Sequence, residues 1–113
     1  MLEELSPQEI HDMYQNNEII LIDVRTPVEF AFERINGALN APMATLKIDV
    51  FPKDQTKQLV FHCGSGVRSA KVGHLLLEND FPGVTHMKGG LALWKSNGLP
   101  TVAVNPITGN LNV

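Results

Sequence analysis

The chain has 113 residues, 43% of them hydrophobic and 19% charged, with a formal net charge of −3. That length suits one domain with a single core, and the acidic balance excludes a broad electrostatic footprint for nucleic acid. No apolar run approaches the ~20 residues that span a bilayer, so no membrane partner is expected, and any bound anion must be held by local geometry.

Met1-Leu2-Glu3-Glu4-Leu5 has neither the basic start nor the apolar core of a signal peptide. A single cysteine demands no oxidising compartment, so a cytoplasmic location is expected. Ser6-Pro7-Gln8-Glu9 is a capping box: Ser6 caps, Pro7 suits the first helical position and Glu9 reaches back to the cap N–H. Ile10, Met13 and Tyr14 then recur at helical spacing until Asn16-Asn17. Ile19-Ile20-Leu21-Ile22 is apolar without alternation and reads as a strand buried on both faces. Its exit carries Asp23 and Arg25, after which Thr26-Pro27-Val28-Glu29 opens a short second helix by the same capping logic. Arg25 is expected to pair with Glu29 or Asp23 and so support the strand exit.

Residues 37–42 read as a tight approach followed by a short strand or turn, 43–50 as a helix, and Pro52-Lys53-Asp54-Gln55 as a polar turn. Residues 59–62 form a strand and 69–79 a helix with Ala70, Gly73, Leu76 and Leu77 on one face. A turn over 80–83, a strand over 84–87 and a last helix over 90–97, stopped by Gly98, complete the pattern. Residues 1–100 form the expected domain, and 101–113, rich in Asn, Pro and Gly, a loosely held tail. Strands alternating with helices predict an α/β fold: a mostly parallel central sheet flanked by helices on both faces, with ligands at the carboxyl ends of the strands.

The chemistry concentrates in Leu59-Val60-Phe61-His62-Cys63-Gly64-Ser65-Gly66-Val67-Arg68-Ser69. An apolar strand ends in the lone cysteine, a glycine-rich turn closes on an arginine, and a helical pattern begins at Ser69. The turn's N–H groups can converge on one point, the helix dipole adds positive potential there, and Arg68 supplies planar donors for an oxyanion. These surroundings favour a reactive Cys63 thiolate over the small buried hydrophobe that a lone cysteine usually is. Gly64, Ser65, Gly66, Val67, Arg68 and Ser69 are the anion-binding candidates. The Ser65 hydroxyl is expected to donate to the anion or the sulfur, and Ser69 to cap the helix and present its hydroxyl. Alternation sends the His62 ring to the face opposite Cys63, away from a general-base role. His11, His62, His74 and His86 lack metal-ligand spacing, so neither metal nor cofactor is expected. Lys71 and His74 read as solvated or packing residues, Trp94 as core, and Gly89-Gly90 as a close backbone approach to the loop.

Four residues separate Cys63 from Arg68, where cysteine phosphatases place five. Three further blocks accompany this shorter loop: Leu21-Ile22-Asp23-Val24-Arg25 with Pro27-Val28-Glu29-Phe30; Ile35-Asn36-Gly37-Ala38-Leu39-Asn40; and Lys88-Gly89-Gly90 through Leu93-Trp94 to Gly98-Leu99-Pro100. In that order they resemble the rhodanese (sulfurtransferase) family over most of the chain, as a single-domain member. The resemblance implies a rhodanese-like three-layer domain. It also implies that Cys63 takes the outer sulfur of a small anionic donor such as thiosulfate, becomes a persulfide, and passes the sulfur to cyanide, a thiol or a protein acceptor. The loop N–H groups would then stabilise the thiolate and the persulfide, while Arg68 holds the donor.

Cys63-Gly64-Ser65-Gly66-Val67 is also similar to the loop of mercaptopyruvate sulfurtransferases, which close it with threonine; Arg68 in that place favours thiosulfate or a protein persulfide. Glu33-Arg34 stands where the family often has Gly-His and reads as a surface change. With no second cysteine, release requires an external acceptor. Two other classes share the related fold. One is a small cysteine phosphatase or arsenate reductase, which the loop length disfavours; the other is a non-catalytic interaction module, which an intact Cys63 and Arg68 disfavour.

Overall fold

A computed structural model describes residues 1–53 and 56–112. Its first element, β1 (Leu2–Leu5), is a strand that the sequence reading lacks, because Leu-Glu-Glu-Leu has no β-branched residue to announce it. α1 (Pro7–Gln15) starts on the Ser6 capping box: Ser6 Oγ accepts the Glu9 N–H and Glu9 Oε1 accepts the Ser6 N–H, both at 3.2 Å. β2 (Ile19–Asp23) leads to α2 (Pro27–Phe32), where Thr26 and Glu29 repeat that box. The short strands β3 (Glu33–Arg34) and β4 (Leu39–Asn40) follow.

The helix expected over 43–50 is instead two 3₁₀ turns, Met43–Thr45 and Ile48–Val50. Neither has a side-chain cap, and Leu46, Ile48 and Phe51 each turn to pack on the core rather than forming one helical stripe. Of the polar turn over 52–55, Asp54 and Gln55 lie outside the described residues. The chain continues through β5 (Gln58–His62), α3 (Val67–Glu78), β6 (Val84–Met87), α4 (Gly90–Ser96), β7 (Val102–Val104) and β8 (Leu111–Asn112).

The main sheet is parallel throughout, in the order β1-β6-β5-β2-β4. Alternation along its central strands divides the core into two layers. Ile19 and Leu21 of β2 and Val60 of β5 pack with Ile10, Leu91 and Trp94 of α1 and α4. Ile22, Leu59, Phe61 and then Cys63 face Val72 and Leu76 of α3. The buried face of α3 is Ser69, Val72, Gly73 and Leu76, with Ala70 and Leu77 only partly covered. Gly73 is bare of a side chain where Leu2 packs, since a Cβ there would lie 2.5 Å from Leu2 Cδ1. Helices cover both faces, giving the three-layer α/β architecture that the sequence predicts. Among the described residues no helix is long and apolar enough to cross a membrane.

A second, antiparallel sheet runs in the order β3-β7-β8. It corrects the expectation of a loosely held tail for residues 102–104: Val102 is buried, β7 pairs with β3, and Thr101 Oγ1 donates to Glu33 Oε2 at 2.7 Å. Glu33 is therefore more than a surface change. It also accepts from Lys95 Nζ at 2.7 Å, which ties the end of α2 to α4.

Candidate active site

β5 is the middle strand, and it delivers Cys63 to the centre of the sheet's carboxyl edge. The helix that follows begins at Val67, two residues before the expected start. Ser69 is therefore not its cap. Gly66 is, in a left-handed conformation (φ 101°) with no side-chain cap. The helix's first amides, which have no partner within a helix, turn onto the sulfur instead. Gly66 N–H lies 3.1 Å and Ser69 N–H 3.4 Å from Cys63 Sγ.

α4 fixes this orientation from behind. Its first amides bind the loop's carbonyls: Leu91 N–H donates to Cys63 O at 2.8 Å and Ala92 N–H to Gly64 O at 3.0 Å. With the carbonyls drawn one way, the loop's N–H groups face the other, toward sulfur. Gly90 makes the approach possible. A Cβ there would lie 2.5 Å from Gly64 C and 2.6 Å from Cys63 O and Ser65 N, and its φ is +61°.

Burial alone would push the Cys63 thiol up, but the Ser69 N–H and hydroxyl and the Ser65 and Gly66 N–H groups outweigh it and hold the thiol below its ordinary value. Cys63 is 0% exposed. Ser65 and Val67 are exposed on the loop, and Gly64 is half-buried beside Arg68.

Arg68 is engaged. Its Nη1 and Nη2 donate to Glu29 Oε1 and Oε2 at 2.8 and 3.0 Å. The Arg68 bonds hold the Glu29 carboxyl down at about 2, helped by the N–H and hydroxyl of Thr26. One carboxylate thus closes the α2 cap and restrains the loop arginine. Arg68 also lines a cavity of about 200 Å³ with Val24, Pro27, Pro42 and Met43.

Asp23 and Arg25 lie beneath the loop, both buried. Of the two partners open to Arg25, the structure supplies Asp23: Arg25 Nη2 donates to Asp23 Oδ2 at 2.7 Å, and Nε lies 3.0 Å from both carboxylate oxygens. Arg25 Nη2 also donates to Glu33 O at 2.6 Å, anchoring the strand exit to β3. His62 Nε2 stands 3.6 Å from Asp23 Oδ2 and Nδ1 3.3 Å from Cys63 O, and burial pushes its pKa down. Its ring touches the loop's backbone rather than the sulfur.

Sequence reasoning missed three site residues. Glu29 pairs with Arg68 rather than with Arg25. His86 Nδ1 lies 2.9 Å from Ser69 Oγ, and His86 Nε2 3.2 Å from Glu4 Oε2. Glu4 and His86 meet through the β1–β6 register, which no local pattern announces. Among the described residues no cluster of His, Cys, Asp and Glu is arranged to hold a metal ion.

Residues 6–97 match the rhodanese-like domain family. A sulfurtransferase of Allochromatium vinosum is 31% identical over 104 residues, which cover 91% of this chain and 97% of that protein. The thiosulfate sulfurtransferase GlpE of Glaesserella parasuis is 30% identical over 97 residues, covering 86% and 90%. An uncharacterised protein of Synechocystis is 36% identical over 98 residues, but the match spans 87% of this chain and only 55% of that longer protein. Among solved structures, the rhodanese-like domain of the Anabaena Alr3790 protein superposes with a TM-score of 0.79 at 22% identity, covering 100% of this chain and 92% of the other. A rhodanese-like domain protein of Staphylococcus aureus does so with a TM-score of 0.72 at 28% identity, covering 81% and 90%.

Proposed function

The chain belongs to the rhodanese-like domain family, and we propose that it is a sulfurtransferase that carries sulfane sulfur on Cys63. The observation that carries this reading is the convergence of the Gly66 and Ser69 N–H groups and the Ser69 hydroxyl on one buried cysteine sulfur. Such donors stabilise a charged sulfur in a dry site as an oxyanion hole stabilises oxygen. The names of the similar sulfurtransferases support it too.

In the reaction, the Cys63 thiolate attacks the outer sulfur of thiosulfate. The S–S bond breaks, sulfite leaves with the bonding pair, and Cys63 holds a persulfide anion. An external thiolate or cyanide then attacks the terminal sulfur, and Cys63 departs as a thiolate. Arg68 meets the anionic end of the donor by exchanging Glu29 for it. Gly64 through Ser69 supply the cradle, and Asp23 and Arg25 support it from below. The partners are a small anionic sulfur donor and a thiol or protein acceptor rather than nucleic acid or membrane, and a cytoplasmic setting suits a single nucleophilic thiol.

Intact-protein mass spectrometry after incubation with thiosulfate tests this. One added sulfur atom, absent in Cys63→Ser and removed by cyanide or a thiol, is the expected result. A reduced protein that gains no sulfur from thiosulfate or from a protein persulfide sinks the reading, and hydrolysis of an aryl phosphate lost in Cys63→Ser would move it to the phosphatase class.

A further inference from the structure

A polar chain leads from the sulfur through α3 to β6 and β1. Cys63 Sγ lies 3.6 Å from Ser69 Oγ, Ser69 Oγ 2.9 Å from His86 Nδ1, and His86 Nε2 3.2 Å from Glu4 Oε2. Cys63, Ser69 and His86 are buried, while the Glu4 side chain is half-exposed, so the chain joins a dry nucleophile to a wet carboxylate. We infer that Ser69, His86 and Glu4 form a proton relay that sets the charge of Cys63, with His86 as the positioning residue that stores the thiol proton. This rests on Cys63 being the nucleophile of the proposed reaction.

The donor and acceptor chemistry allows two arrangements. An ionised carboxylate only accepts, so Glu4 fixes the imidazole proton on Nε2 and leaves Nδ1 bare. Nδ1 takes the Ser69 hydroxyl proton, and Ser69 Oγ accepts from the thiol. On ionisation the S–H bond breaks and its proton passes to Ser69 Oγ, as the Ser69 proton passes to His86 Nδ1. The imidazolium now donates to Ser69, Ser69 donates to the thiolate, and Nε2–H still faces Glu4. One proton has moved in balance, and the thiolate and imidazolium form a pair bridged by a hydroxyl. The competing acceptor for Ser69 is Gly66 O, farther away at 3.3 Å. The titratable groups facing His86 are Glu4 from β1, which favours its charged form, and His74 from α3, which opposes it; β5 sets the uncharged Phe61 opposite. Burial holds the His86 pKa down against Glu4, which raises it, so the imidazolium forms only as the charge of the thiolate is added beside it.

Two readouts that need no sulfur transfer test the relay. The first is the pH profile of Cys63 alkylation by iodoacetamide. His86→Gln is expected to move its midpoint up by about one unit, slowing alkylation below the midpoint about tenfold; Glu4→Gln moves it in the same direction by less. The second is nitrogen NMR of the His86 ring. The Nε2–H tautomer is expected once the imidazolium has lost its proton, and Cys63→Ala, which removes the thiolate, lowers the His86 titration midpoint, because the coupling is reciprocal. An alkylation profile unchanged in His86→Gln, or a His86 titration unmoved by Cys63→Ala, overturns the relay. Should His86→Gln fail to fold, the NMR comparison decides. Sulfur gain seen by mass spectrometry is independent, so the relay and the sulfurtransferase reading fail separately.

Discussion

Glu29 is the residue on which two local structures converge. Its Oε1 accepts from the Thr26 N–H at 3.0 Å, the Thr26 hydroxyl at 3.1 Å and Arg68 Nη1 at 2.8 Å. The arginine expected to grip the donor is therefore held at rest, and donor binding must displace a good bidentate pair. Arg68→Ala is expected to raise the KM for thiosulfate roughly 10- to 100-fold, the loss of about 1.5–3 kcal/mol of charge-assisted bonding, with a smaller effect on kcat. Glu29→Gln keeps an acceptor oxygen for the cap but weakens the hold on Arg68, so KM should fall; steady-state kinetics on both variants checks the pair of outcomes. An unchanged KM in Arg68→Ala removes Arg68 from the site. Because the Glu29 carboxyl sits at about 2, below its unfolded value, the pair's stabilisation is complete above that unfolded value and is lost only as pH falls through about 2. Both side chains are about a third exposed, so that contribution is small.

At the scale of elements, the site is a junction of β5, α3 and α4. α3 supplies amides to the sulfur, and α4 supplies amides to the carbonyls behind it. Gly90 is the contact point. Gly90→Ala adds a left-handed alanine and drives a methyl into the Cys63–Ser65 backbone, at an expected cost of about 2–5 kcal/mol. It should also turn the loop amides off the sulfur, moving the thiol back toward its ordinary value in the alkylation profile. Gly98→Ala is the control: its φ is +75° but a Cβ meets nothing within 4 Å, so only the conformational strain of about 1–2 kcal/mol applies. Urea denaturation of the two variants separates the terms, and equal losses would mean that the loop yields freely to the added methyl.

Across the whole molecule, the sheet order sets what reaches Cys63. β5 occupies the centre, so neighbouring strands bring groups to the loop from both sides: Asp23 from β2, and His86 from β6 with Glu4 from β1 behind it. The small second sheet packs against α2. Its inner strand carries buried Val102, while residues 106–112 are exposed. Deleting residues 106–113 is expected to change stability by less than ~1 kcal/mol, whereas truncation before Thr101 removes the Val102 burial and the Thr101–Glu33 bond and costs about 2–4 kcal/mol. Thermal denaturation of the two truncations checks this; equal losses would place the hairpin's stabilising contacts in its outer strand.

Much of the fold is legible because its causes are local. The Ser6 and Thr26 capping boxes, the continuous apolar runs of β2 and β5, and the glycine-rich turn before α3 each depend on residues a few positions apart. Where burial decides between local options, the sequence misleads: residues 43–50 have helical length, yet Leu46, Ile48 and Phe51 must each reach the core, and the chain takes two 3₁₀ turns instead. The loop between Cys63 and Arg68, with its chemistry, is likewise read from one short stretch. Its partners are not. Arg68 meets Glu29 39 positions away, and Ser69 meets His86 17 positions away. Those pairings follow from strand order and register, which are set by how the whole apolar core is buried and not by any segment's own preference.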